Sequence, residues 1–245
     1  MQISEKLERV LMKVQKPARY VGGEYNSVVK DKSEVNLRIA LCFPDTYEIG
    51  MSNLGMRILY GVFNEMEGTW CERVFAPWSD MEEEMRREGI PLYGLESGDS
   101  IAEFDIIAFS LGYEMAYTNV LNMLDLAGLP VKSTERTENM PLVAAGGTVC
   151  YNPEVMSQFI DLFFIGEGED LDREVFELYR ECKEKKMSKA EFLKLACRIE
   201  GVYVPSMYDV AYGTDGKILD IKPQNGAPRR VTKRILWALH RIPSR

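Results

Sequence analysis

Histidine is almost absent from this chain: His240 is the only one in 245 residues. The five cysteines, Cys42, Cys71, Cys150, Cys182 and Cys197, are scattered, with no C-x-x-C pair among them. An odd count at wide spacing excludes a disulfide framework and a local zinc or iron–sulfur knuckle. No histidine is available to pair with Cys42 or Cys150 in the Cys–His manner, so both read as core or near-core thiols. No apolar run approaches the length needed to cross a bilayer. The start, Met1-Gln2-Ile3-Ser4-Glu5-Lys6, lacks the basic and then apolar segments of a signal peptide. There is no internal repeat and no low-complexity segment. These absences point to a cytoplasmic protein without membrane contacts.

What is present is ordinary for a globular chain: 46% hydrophobic and 28% charged residues, enough in 245 for one large domain or a domain plus an appendage. A net charge of −8 disfavours broad binding to nucleic acid. Against that background, Arg229 to Arg245 carries Arg229, Arg230, Lys233, Arg234, Arg241 and Arg245 and no acid. We read it as a solvated linker helix rather than a nucleic-acid tail.

Periodicity divides the chain. Ser4 to Val14 predicts a short amphipathic helix with Leu7, Val10, Leu11 and Val14 on one face. Pro17 ends it, and Gly22 to Ser27 is a loop. Leu37 to Phe43 is nearly all apolar after Arg38, as a strand covered on both faces should be. A helical stripe follows over Ser52 to Met66, then a strand over Glu72 to Ala76 and a charged helix over Ser79 to Glu88. Leu92 to Leu95 reads as a strand, Asp105 to Phe109 as another, and Thr118 to Ala127 as a helix closed by Gly128 and Pro130. Strands over Leu142 to Ala145 and Leu162 to Ile165 precede a helix burying Leu171, Val175, Phe176 and Tyr179. Ser188 and Glu191 form a capping box for one more helix, ended by Gly201. The alternation predicts an α/β doubly wound parallel sheet of about five strands, Rossmann-like or flavodoxin-like. An antiparallel hairpin is expected over Val202 to Ile221, with Asp215-Gly216 as its turn. The expected organisation is an N-terminal helix and loop over 1–35, the α/β domain over 36–200, and the appendage with its basic linker over 201–245.

Four of these strands end in turns of small or polar residues: Asp45 to Gly50, Ser110-Leu111-Gly112, Gly146-Gly147-Thr148, and Gly166-Glu167-Gly168-Glu169. Parallel strands end along one edge, and open α/β sheets bind ligands outside it. The expected site therefore comprises Asp45, Tyr47, Gly50, Ser110, Gly112, Gly146, Gly147, Thr148, Gly166, Glu167 and Gly168. Each turn alone is as consistent with simple chain reversal as with a ligand. Glu48, Glu114 and Glu167 read as groups that orient a ligand or a neighbouring domain. No catalytic or metal-ligating residue is assigned.

Asp45, Gly50, Ser110, Gly146 and Gly147 resemble the Asp-x-His-x-x-Gly, Ser-x-Leu and Gly-Gly pattern of cobalamin-binding domains, in order. Tyr47 replaces the cobalt-ligating histidine, and Gly112 the leucine. Longer stretches are narrower in their likeness: Pro17 to Ser27, Phe43 to Gly55, Arg73 to Trp78, Asn119 to Gly128, and Asn152-Pro153-Glu154 with Gly166 to Glu169. They resemble the N-terminal, B12-binding-type part of an uncharacterised family of radical SAM proteins. In that family a barrel with a Cys-x-x-x-Cys-x-x-Cys cluster follows, and no such cluster is present here. The final Leu236-Trp237-Ala238-Leu239-His240 departs from the acidic linker expected there.

The resemblance implies a domain that positions a corrinoid or substrate for radical group transfer and is not catalytic alone. Cobalamin would bind without a histidine lower ligand, because a neutral phenol with a pKa near 10 is a poor cobalt ligand. The [4Fe-4S] cluster and S-adenosylmethionine would belong to the radical SAM domain of the same polypeptide, the implied partner. The alternatives are a cofactor-free scaffold docking on that barrel, or a site for another phosphate-bearing cofactor such as FMN.

Overall fold

The structure is a computed structural model describing residues 5–235. The start of the predicted first helix at Ser4, the Leu236–His240 stretch and the end of the basic linker lie outside the described residues.

Five strands run parallel: β1 (Leu37–Phe43), β2 (Thr69–Phe75), β3 (Ile106–Ser110), β4 (Leu142–Gly146) and β5 (Leu162–Phe164). A sixth, β6 (Val202–Tyr203), pairs antiparallel with β5. The spatial order is β2-β1-β3-β4-β5-β6. The first five strands follow the flavodoxin-like order, with its switch point between β1 and β3. β5 is buried at every position, as a continuous apolar run sandwiched between helices should be, and β2 is buried throughout as well although it carries Glu72 and Arg73.

The helices are α1 (Glu5–Leu11), α2 (Tyr47–Ser52), α3 (Leu54–Glu65), α4 (Ser79–Glu88), α5 (Tyr117–Leu126), α6 (Gly168–Glu184) and α7 (Lys189–Ala196). The chain reverses direction across the sheet between β2 and β3, so right-handed crossovers put α3 and α4 on opposite faces. On one face Phe63 of α3 meets Phe176 of α6 edge-on at 4.9 Å, and Tyr179 of α6 meets Phe192 of α7 at 5.1 Å. On the other, Arg86 of α4 bonds Asp125 and Asn122 of α5, each at 2.7 Å. α1 lies against α4 and, with the turn after it, buries Leu7, Val10, Leu11 and Val14, each contributing roughly 1.5–3 kcal/mol of transfer free energy. Among the described residues no helix is long and apolar enough to cross a membrane.

The predicted class holds, and several boundaries move. The turn from Asp45 to Gly50 is helical from Tyr47, and Asn53 caps the separate α3 through its side chain. β2 starts three residues before the predicted Glu72 because Trp70 and Cys71 are buried as well. Leu92 to Leu95 forms no strand, only a single antiparallel bridge from Tyr93 to Ser100, with the Leu95 N–H spent on the Arg73 carbonyl. The capping box of Ser188 and Glu191 is present, but α7 stops at Ala196, ahead of Gly201. Val202-Tyr203 belongs to the main sheet, so the appendage is a shorter hairpin of β7 (Tyr208–Tyr212) and β8 (Ile218–Pro223).

Candidate functional site

The switch point opens between the turns that leave β1 and β3. Across it the Tyr113 hydroxyl donates a short hydrogen bond to Asp45 Oδ2, which pushes that phenol up to about 12. Asp45 Oδ1 accepts the Thr46 N–H at 2.6 Å, and the Asn119 amide holds the Pro44 carbonyl at 2.9 Å. Thr148, arriving from the turn after β4, donates its hydroxyl to the Gly112 carbonyl at 2.8 Å. Ser110 stands in register with Gly146. Asp45, Ser110, Gly112, Gly146 and Thr148 thus share the middle of the carboxyl edge. Gly166, Glu167 and Gly168 follow β5, three strands and about 14 Å from β1.

Four of the predicted glycines serve close packing. A Cβ on Gly50 would sit 2.2 Å from the Phe75 ring, so this turn of α2 rests on β2. A Cβ on Gly147, at φ +119°, would meet the Leu111 carbonyl oxygen at 2.2 Å. Gly166 adopts the same φ, and its Cβ position is taken by the Arg234 carbonyl oxygen, also at 2.2 Å. Arg234 lies there as a parallel bridge partner, exchanging backbone hydrogen bonds with Ile165 and Glu167. Gly168 makes room for the Asp172 carboxyl. Asp172 is buried with Oδ1 unpartnered, and burial holds its carboxyl well above the usual range. Gly112 differs: nothing lies within 4 Å of its Cβ position.

Tyr47 is committed elsewhere. Its hydroxyl donates to Glu24 Oε1 at 2.7 Å, and burial together with that carboxylate pushes the phenol up to about 12. Glu24 in turn binds Arg73 at 2.6 Å, and Arg73 also binds Glu96 at 2.6 Å and faces the Tyr60 ring. The Tyr60 hydroxyl donates to Glu96 at 3.0 Å and accepts the Val28 N–H at 2.7 Å. Burial raises the Glu24 carboxyl, but Tyr47 and Arg73 outweigh it and leave the group lowered. Glu96 is raised, burial prevailing over Arg73. This cluster straps the segment from Glu24 to Val28 across the β2 side of the sheet. Periodicity missed it. The signal was Glu72-Arg73 inside an otherwise apolar strand, since buried charges occur paired.

Outside these contacts the carboxyl edge is apolar and acidic. Ile49 and Leu54 after β1, Trp78 after β2, Tyr113 and Met115 after β3, and Tyr151 and Val155 after β4 are all exposed, Met115 to 85%. Acids accompany them: Asp45, Glu48, Glu114, Glu154, Glu169 and Asp170. Glu48 is bound by Arg19 and Lys16, and the Arg19 hydrogen bond brings its carboxyl down to about 2. Arg19 also lies over the Trp78 ring, 5.8 Å from its centroid.

A corrinoid with a buried nucleotide tail does not fit these residues. Tyr47 is a protonated phenol bound to Glu24, and the Cβ positions of Gly50, Gly147 and Gly166 are filled by the protein itself. The pocket beside the edge, between Tyr20, Thr46, Tyr47 and Trp78, measures about 20 Å³, room for a single water. Among the described residues no group of three or more His, Cys, Asp or Glu side chains could hold a metal ion. A roomier cleft of about 270 Å³ lies at the opposite edge, between Phe104, Asp105, Met140, Tyr179 and Lys189, and contains no predicted site residue.

Comparison with known proteins adds two findings. Residues 55–205 match the family model described as radical SAM proteins, N-terminal, which is more than half of the chain. The match takes in β2 to β6 and leaves Asp45, Tyr47 and Gly50 outside it. The chain is also 26% identical over 203 residues to the uncharacterised protein MJ0966 of Methanocaldococcus jannaschii. The similar region is 78% of this chain and 39% of that relative, so the chain spans under two-fifths of the relative's length.

Proposed function

The chain belongs to the radical SAM N-terminal family, and on that premise we propose that its carboxyl sheet edge docks on the radical SAM catalytic domain of the same polypeptide. The observation that carries this reading is the row of exposed apolar side chains, from Ile49 to Val155, issuing from the turns after four strands. Apolar patches rimmed by polar groups mark interaction surfaces. The accompanying acids favour a partner face with a basic rim. Arg234, close to the end of the described chain, crosses this same edge beside Gly166. In this role the domain shapes access to the catalytic centre. S-adenosylmethionine and the [4Fe-4S] cluster would be held by the catalytic domain, where the radical group transfer would occur.

A second reading keeps a cofactor at the interface, either FMN or a corrinoid whose nucleotide tail stays outside this domain. Its support is the open backbone at Gly112 beside Asp45 and Thr148, at the switch point where such sheets bind ligands. Any corrinoid there would lack a histidine lower ligand from this domain.

Two measurements on the complete polypeptide separate the readings. A photo-cross-linker at Met115 should capture the catalytic domain, while one at Glu65, on the opposite edge, should not. Equal capture at both sites, or at neither, contradicts the docking face. Titration with hydroxocobalamin or FMN should leave the cofactor spectrum unchanged under the first reading. A stoichiometric shift abolished by Gly112→Leu supports the second.

A further inference from the structure

The hairpin after the main sheet has an unfinished surface of its own. β8 is a six-residue strand without one buried residue, although Ile218, Leu219 and Ile221 are large and apolar. Leu219 is 71% exposed, and Tyr212 of β7 is 55% exposed. Among the described residues the hairpin is anchored at its base: Tyr208 stacks on Tyr203 at 4.8 Å and donates its hydroxyl to the Pro228 carbonyl at 2.9 Å. Among the described residues this sheet has two strands, so the outer edge of β8 is open. A two-stranded hairpin is marginal alone, and an open apolar edge is a template for another strand.

The register shows what fits that edge. Val210 stands opposite Ile221, and Asp209 opposite Lys222. Strand alternation therefore puts Val210 and Ile221 on one face and Asp209, Asp220 and Lys222 on the other. If a second β8 pairs antiparallel about Ile221, Ile221 meets its own copy on the apolar face. On the polar face each Asp220 meets the other copy's Lys222. Val210, Ile221 and their copies then form an unbroken apolar row across four strands, and the charges alternate along the row beneath. A strand that is charge-complementary to itself under a two-fold axis favours an isologous contact. Within one chain the Lys222–Asp220 contact is long, 3.6 Å, and exposed, so little opposes the exchange.

We infer that β8 is a homodimerisation strand, pairing antiparallel with β8 of a second copy about Ile221. This does not rest on the docking role of the carboxyl edge, which lies elsewhere on the molecule.

Sedimentation of the whole 245-residue chain across the micromolar range tests it. Wild type should form a concentration-dependent dimer. Asp220→Lys turns both charge pairs repulsive and should weaken the dimer by roughly tenfold or more. Asp220→Lys with Lys222→Asp and Asp209→Lys restores complementarity both across the contact and within the hairpin, where Asp209 stands opposite Lys222, and should recover most of the loss. All three positions are exposed, so thermal melting and circular dichroism of the triple variant should match wild type, which separates assembly from folding. A wild type that stays monomeric overturns the proposal, as does a triple variant no better than the single. Protection of β8 amides in a monomeric longer polypeptide also overturns it, giving the strand to a neighbouring domain instead.

Discussion

The two ends of the sheet close their carboxyl sides by different means. At the β1–β2 end a buried arginine gathers Glu24 and Glu96, and through Glu24 and Tyr47 it fastens a segment from far earlier in the chain. At the β4–β5 end the closure is backbone on backbone: Gly147 against Leu111, and Gly166 against Arg234. The first device depends on charges that are costly to bury and only break even when fully paired. The second depends on the absence of a side chain. Both commit predicted site residues to contacts within the protein itself. What remains open lies between them, at Gly112, and on the apolar rim outside.

Losing the first device should cost most. Arg73→Met leaves Glu24 and Glu96 facing each other without their cation, and should destabilise the fold by about 3–5 kcal/mol in urea unfolding. A smaller loss than for Gly147→Ala would reverse the ranking drawn here. Gly147→Ala adds a methyl at φ +119° and against a carbonyl oxygen, so something must shift, and the expected cost is about 2–3 kcal/mol.

Asp172 sharpens the contrast, because at the glycine end a carboxyl is buried without the pairing that Glu24 enjoys. Its pKa is raised in the folded state, so folding favours the protonated form. Its contribution is full below the unfolded value of about 4 and is lost as pH rises through the folded value. Asp172→Asn cannot ionise. It should match wild type in acid and exceed it near pH 8 by on the order of 1 kcal/mol. Thermal melting across that range checks the sign, and a variant less stable at the higher pH contradicts it. The smallest effect belongs to Tyr113→Phe, which removes one exposed hydrogen bond to Asp45 and should cost under about 1 kcal/mol.

The fold was legible where burial is two-sided. β1, β3, β4 and β5 appear in the sequence as apolar runs, and the Ser188–Glu191 cap and the Gly128 stop lie where the residues place them. The pairing of Val202-Tyr203 was not legible, because two residues carry no period and either sheet could take them. α2 was hidden because Gly50 looks like a turn glycine until Phe75 is seen lying over it. The site was legible as an edge and not as contents. Glycines after strands mark close approach, but the sequence does not say whether a ligand or the protein's own backbone approaches. Here Leu111 and Arg234 do so at Gly147 and Gly166.

Hydrogen exchange at the carboxyl edge tests the central claim most directly. The amides of Tyr113 to Met115 and of Tyr151, Asn152, Glu154 and Val155 should exchange quickly in this chain alone. In the complete polypeptide they should be protected at least tenfold, without added cofactor, while the Glu65 end of α3 is unchanged. Equal exchange in the two proteins, or protection that appears only when a cofactor is added, would contradict a docking face.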